Sequence, residues 1–163
     1  RFEGRHFTTN DRKTLYFAWT QGCLLSNGLA FLPRLNASEE LKLQVACNAA
    51  VRAVLRLPRF GYLPITSLRQ QLRIPSVEQL TKKLILEAAW KKNHTSVLNR
   101  CLPGVTTRAR TNLEMVHPNQ NGYRAQMIST KCDIAWNELP LAIKKESVKS
   151  KALNMIKKFA VNF

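Results

Sequence analysis

Residues 38–58, SEELKLQVACNAAVRAVLRLP, decide the fold. Ser38 stands where a helix N-cap belongs. Glu39 and Glu40 follow in the first turn, where a carboxylate meets the positive end of the helix dipole. Leu41, Val45 and Ala49, together with Leu43, Cys47, Ala50, Val51 and Val54, make a broad apolar arc. That breadth predicts a central helix buried on more than one side. Pro58 ends it. Arg52 and Arg56, four residues apart, share a face and repel each other unless paired.

Working outward, helical spacing returns on both sides. Toward the N-terminus, Leu15, Ala18, Trp19, Gly22 and Cys23 predict a helix from about Asn10 to Leu32, capped by Asn10 or Asp11. Gly22 and Gly28 weaken it, with a bend or stop expected near Asn27-Gly28, and Pro33 closes it. Toward the C-terminus, LPRFGYLPITSL is a turn-rich connector. Thr66 then caps a short helix to about Arg73, and Pro75 breaks it. Ser76-Val77-Glu78-Gln79 is a capping-box start. The helix that follows, with Val77, Leu80, Leu84 and Ala88 on one face, runs to about Lys92. A short turn from Thr95 or Ser96 ends near Cys101.

From Leu102 to Ser129 no period holds, and the stretch is basic at Arg108, Arg110 and Arg124. The pattern recovers with Thr130 as a cap and Cys132, Ala135, Trp136 and Leu139 on a helix that Pro140 stops. Ser147 caps a last helix. Val148, Ala152, Met155, Ile156 and Phe159 form its apolar face, and Lys149, Lys151, Lys157 and Lys158 lie opposite. The predicted fold is all-α: an irregular helical bundle with a long basic connector at about 102–129 before two C-terminal helices. The expected organisation is a basic helical domain over 1–101, the polar connector over 102–129, and a C-terminal segment over 130–163 packing on the first domain.

The length of 163 residues suffices for one domain or two small helical lobes. An apolar fraction of 45% fits a folded chain. Lys and Arg total 26 against 10 Asp and Glu, a formal net charge of +16. Such self-repulsion opposes compaction unless a polyanion is near, so RNA or DNA is the expected partner. No apolar run approaches membrane-spanning length, and no membrane partner is expected. The opening RFEGRHFTTNDRKTL carries no secretory pattern and reads as a cut inside a longer chain. The four cysteines are far apart in sequence, and reduced thiols in a nuclear or cytoplasmic protein are expected.

Catalytic constellations are missing. The two aspartates, Asp11 and Asp133, form no adjacent pair of the kind that holds two metals in a polymerase. No Gly-rich phosphate loop occurs. His94, Cys101, His117 and Cys132 lack the close ligand pair that pre-organises a zinc site. The expectation is therefore no enzyme, no cofactor, no metal and no small-molecule substrate. The candidate ligand-facing groups are cationic. Arg52, Arg56, Arg59, Arg69 and Arg73 cluster around the Pro-rich turn, and Arg108 and Arg110 lie in the connector. Phe60 and Tyr62 interleave with the first set and are candidates to stack on bases. The competing reading makes the arginines a solvated face and the aromatics plugs over an apolar seam.

Two segments carry a family resemblance. Leu43-Gln44 with Asn48, Arg52 and Leu55 precedes a Pro-rich turn and the hook Leu72-Arg73-Ile74-Pro75-Ser76-Val77. Trp136-Asn137-Glu138-Leu139-Pro140 with Ile143 precedes Ala152–Phe159. In this order, with a basic connector between, they resemble the region downstream of the polymerase domain in non-LTR retrotransposon reverse transcriptases. The resemblance implies a parent protein that copies RNA into DNA, with an upstream polymerase domain as an intramolecular partner. It carries over no catalytic residue. It gives Trp136, Asn137, Leu139 and Pro140 as a structural signature. The expected function is a non-catalytic nucleic-acid-binding module aiding engagement of template RNA or target DNA. A helical protein-docking scaffold is the alternative.

Overall fold

The computed structural model describes residues 7–58, 64–100 and 128–161, with side chains of the long helix described as far as Asn93. The predicted connector at 102–129 and residues Arg59, Phe60, Tyr62, Arg108 and Arg110 therefore lie almost wholly outside the described residues. The chain is all-α, and among the described residues there is no strand. It divides into two compact units, residues 1–80 with Phe163, and residues 81–162.

In the first unit, α1 (Thr9–Leu15) starts one residue before the predicted cap. Thr8, not Asn10 or Asp11, takes that position. Its hydroxyl accepts from the Asp11 N–H at 3.2 Å, and the Asp11 carboxylate accepts from the Thr8 N–H at 2.9 Å. Bonds from Thr8, and secondarily the Arg12 charge, hold the Asp11 carboxyl below its ordinary range. The chain does not stop at its glycines. It widens into a π-helical turn (Tyr16–Gln21), resumes as α2 (Gly22–Phe31), and closes through a short 3-10 turn (Leu32–Arg34) containing Pro33. Gly22 is tolerated because its backbone is ordinary right-handed helix (φ −59°).

The central helix, α3 (Ala37–Val54), is capped by Asn36 rather than Ser38. Asn36 accepts from the Glu39 N–H at 2.9 Å, and Glu39 returns the bond at 3.0 Å. Glu39 and Glu40 after Ser38 give the serine the look of a cap in the sequence. The asparagine two turns before the Leu43-Gln44 pair builds the reciprocal box instead. Burial is also narrower than the arc predicts. Cys47, Val51 and Val54 are buried, whereas Leu41 and Val45 are 64% and 56% exposed. Against the covered face packs α4 (Ile65–Leu72), whose N-cap position is Pro64, with no side-chain cap, and not Thr66. The core joins Tyr16, Val51, Val54, Leu68, Leu72 and Ile74.

Helix α5 (Val77–Arg100) opens on the predicted capping box. Ser76 Oγ accepts from the Gln79 N–H at 3.1 Å, and Gln79 accepts from the Ser76 N–H at 2.9 Å. It does not end near Lys92: residues 95 and 96 continue it. Serine and threonine there signal a start only when the preceding turn has ended, and Lys91-Lys92-Asn93 gives no such stop. Beyond Thr81 its buried stripe runs through Leu86, Ala89, Trp90 and Asn93, while Leu84 and Ala88 are half-buried.

In the second unit this stripe meets α6 (Ile128–Glu138), α7 (Leu141–Lys145) and α8 (Lys149–Ala160). Leu86, Ala89, Trp90, Cys132, Ala135, Trp136, Leu139, Ile143, Ala152, Ile156 and Ala160 form one core. The single turn α7 went unread because five residues carry too little periodicity. Val148, not Ser147, precedes α8 and supplies no side-chain cap. Val148 is 45% exposed, so the apolar face of α8 is Ala152, Ile156 and Ala160, flanked by Leu153, Met155 and Phe159. No helix among the described residues is long and apolar enough to cross a membrane.

Candidate nucleic-acid interface

The predicted arginines take distinct places. Arg56 and Arg73 close helices. Past the end of α3, the Arg56 N–H donates to the Ala53 carbonyl at 3.1 Å and the Leu57 N–H to Arg52 at 2.9 Å. Past α4, the Arg73 N–H donates to Gln70 at 3.0 Å and the Ile74 N–H to Arg69 at 2.9 Å. Both are Schellman closures, which need one left-handed residue. That residue is Arg56 (φ 56°) in the first and Arg73 (φ 55°) in the second. Glycine meets the requirement with least strain. Both arginines are exposed. An Arg56 Nη2 donates to the Phe7 carbonyl at 3.2 Å, tying the N-terminal segment to the end of α3.

Arg69 is instead drawn into a polar relay. Its Nη2 donates to Asn48 Oδ1, which also accepts from Gln44 Nε2 at 2.8 Å. Gln44 Oε1 accepts from the Val77 N–H at 3.0 Å. An orphan donor at the first turn of α5 is thereby satisfied from α3, and α4 is fastened to the same chain of bonds. Burial pulls the Arg69 pKa down, opposed by the neighbouring Tyr16 and Cys47. Burial also raises the Tyr16 phenol to about 12 and pushes the Cys47 thiol up. Arg52 is half-buried on α3. The cluster thus separates into Arg56 and Arg73 at the surface and Arg69 inside a structural network. Sequence reading missed Gln44 and Asn48 as Arg69's setting because the bond spans 21 residues.

The Trp136–Pro140 signature lies in the second core. Trp136 is fully buried, and Leu139 is buried beside it. The Leu139 N–H donates to Trp136 at 3.1 Å, and Pro140 accepts from Ile143 and Lys144 at 2.9 and 3.1 Å, turning α6 into α7. The Asn137 carbonyl accepts from the buried Lys144 ammonium at 3.3 Å, and that ammonium lies 5.9 Å from the Trp136 ring centroid. Trp90 Nε1 donates to the Ile143 carbonyl at 3.2 Å. Asn93, 1% exposed, donates to Asp133 Oδ1 at 3.1 Å, and Lys92 pairs with the same oxygen at 2.8 Å. These groups hold α5, α6 and α7 in one frame.

The surface of α8 is cationic. Lys149, Lys151, Lys157 and Lys158 are exposed, as is Asn154, and the helix carries no carboxylate. Elsewhere in this unit Lys83 finds Glu87 at 3.6 Å. Among the described residues no group of three or more His, Cys, Asp or Glu side chains lies together as a metal site would need. Of the four residues considered for zinc, Cys101 and His117 lie outside the described residues. No protein-family model, curated protein or solved structure matches the chain.

Proposed function

We propose that this chain is a non-catalytic, basic nucleic-acid-binding module from the C-terminal region of a non-LTR retrotransposon reverse transcriptase. On this reading it works in the nucleus or cytoplasm and helps an upstream polymerase domain engage template RNA or target DNA. The observation that carries the nucleic-acid reading is the placement of Arg56 and Arg73. Each is exposed and occupies left-handed backbone where glycine costs least, in a chain of net charge +16. A charged side chain kept where the backbone disfavours it points to a role beyond closing the helix, which for Arg56 includes its bond to the Phe7 carbonyl. The lysine face of α8 offers further phosphate contacts, and Arg52, Arg59, Arg108, Arg110, Phe60 and Tyr62 belong to the same proposed surface. The ordered Leu43-Gln44/Asn48 and Trp136–Pro140 motifs support the family assignment.

The test is a salt titration of the purified chain against structured RNA, single-stranded DNA and duplex DNA. Tight binding with a steep log–log salt dependence is expected. The Arg56→Ala, Arg73→Ala double variant should lower the duplex slope by about 1.8, two phosphate contacts at roughly 0.9 each. Weak binding with no salt slope on any of the three would overturn the reading. A specific observation favours the alternative, a protein-docking scaffold: Leu41 and Val45, one turn apart on α3, are both more than half exposed. Retained stability with no polyanion affinity would favour it.

A further inference from the structure

The first unit holds an open apolar cleft of about 260 Å³ lined by α1, the π-helical turn and α3. Ala50, Ala53 and Val54 give it an apolar floor from α3. Leu15 and Trp19 also line it, and Arg12 is the charged residue of the lining. Trp19 is 73% exposed, far more than the 5% and 0% of Trp90 and Trp136. Tryptophan usually buries its ring, and among the described residues no aromatic ring or cation packs on this one. The π-helical turn lines the cleft, and such turns are rare and frequently occur at functional sites. Arg12 is held in place. Its Nε donates to the Thr8 carbonyl at 3.3 Å and its Nη2 to Thr9 Oγ1 at 3.2 Å, and neither bond uses Nη1.

An aromatic face, an apolar floor and one fixed cation with no carboxylate among the described lining residues suit a planar group joined to an anion. We infer that this cleft binds an unpaired nucleotide of single-stranded RNA or DNA, stacking its base on Trp19 and pairing its phosphate with Arg12. The inference rests on the nucleic-acid reading above and adds to it a strand preference and a residue outside the arginine cluster. Stacking on an aromatic ring is open to every base, so the site selects for unpaired strand rather than sequence. A duplex keeps its bases stacked on each other and offers the ring nothing.

Fluorescence isolates the site, because Trp19 is the exposed indole and the other two are shielded. The probe is single-stranded oligo(dU) or oligo(rU) of about ten nucleotides, within the span such surfaces occupy. Addition should quench the exposed emission and protect it from acrylamide. Trp19→Ala should weaken single-strand binding by roughly 5- to 150-fold, the range one base stack supplies. It should leave duplex affinity unchanged within about twofold and leave the salt slope as it was. Trp19→Phe should recover most of the loss, and Arg12→Ala should lower the single-strand slope by about 0.7. Steep, salt-dependent binding with Trp19 emission unmoved and Trp19→Ala equal to wild type would overturn the cleft assignment while the nucleic-acid reading stands. No binding to any nucleic acid would overturn both. Protection of Trp19 by a peptide and not by an oligonucleotide would assign the cleft to a protein partner and overturn it as well.

Discussion

Replacing Arg73 by glycine separates what this position does for the fold from what it does for a ligand. Arg73 lies past the end of α4 at φ 55°, with its N–H bonded to Gln70. Left-handed backbone costs an L-residue about 1–2 kcal/mol. Glycine removes that strain, and its freer unfolded chain takes back about 0.5–1 kcal/mol. The exposed side chain contributes little packing. The net is a stabilisation of about 0.5–1 kcal/mol. Urea unfolding of the whole chain at pH 7 would show it as a midpoint raised by about 0.3–0.5 M, for a slope near 2 kcal/mol/M. In the same protein the duplex-DNA salt slope should fall by about 0.9 if Arg73 meets a phosphate. Arg73→Ala is the control: it keeps a Cβ in left-handed backbone, so it should lose the slope without gaining the stability. A glycine variant less stable than wild type would refute the strain argument. A stabilised variant with an unchanged slope would refute the ligand role and leave Arg73 as an ordinary surface residue.

Three further outcomes follow from the interior. Asn48→Ala strips the acceptor from Arg69 and frees Gln44 from its partner, so it should cost about 2–3 kcal/mol, read by denaturant unfolding. Trp136→Ala empties the centre of the second core and should cost about 3–5 kcal/mol, with the near-UV circular dichroism of the aromatic core lost. The Tyr16 phenol is raised from 10.0 to about 12, so its neutral form favours the folded state. That contribution is whole below about pH 10 and is lost as pH rises through about 12. Tyr16→Phe should be markedly less sensitive to this alkaline window. Equal losses in wild type and variant would assign alkaline unfolding to other groups, such as the raised Cys47 and Cys132 thiols.

The helical class was legible because apolar spacing and proline stops are local. Pro75 and Pro140 stand just past helix ends as read, α3 instead closes at Val54 through Arg56 before reaching Pro58, and the Ser76–Gln79 box forms as its four residues imply. Errors gathered at the other starts. Asn36 takes the place expected for Ser38, Thr8 that for Asn10, and Pro64 that for Thr66, each two residues upstream of the expected cap. Several residues nearby can cap, and which one does depends on where the chain enters the helix. The width of the apolar arc on α3 misled in another way. Leu41 and Val45 satisfy the helical pattern, but nothing in a single sequence says whether a second surface comes to meet them. At the candidate interface, arginine content was visible and arginine roles were not. Arg69 and Arg73 are four residues apart on paper, yet one enters a relay with Asn48 and the other ends a helix at the surface.

The relays also explain why the motif residues and the proposed ligand-facing residues differ. Gln44 satisfies the start of α5, Asn48 holds Arg69, and Asn137 and Pro140 receive Lys144 as α6 turns into α7. Gln44 and Asn48 act through side chains in the middle of α3, and Asn137 and Pro140 through backbone carbonyls where α6 turns into α7. The side-chain positions are restrictive because a substitution leaves an unsatisfied group behind. A phosphate contact is permissive, since any cation within reach contributes to it. On the proposed reading, the motif residues build the scaffold, while ligand contact would fall to exposed cations and to a ring such as Trp19. Substitutions at Gln44, Asn48 or Trp136 should lower stability and binding together. Trp19→Ala and Arg73→Ala should lower binding and leave stability nearly as it was, and that division is what distinguishes a nucleic-acid module from a helical domain that is merely basic.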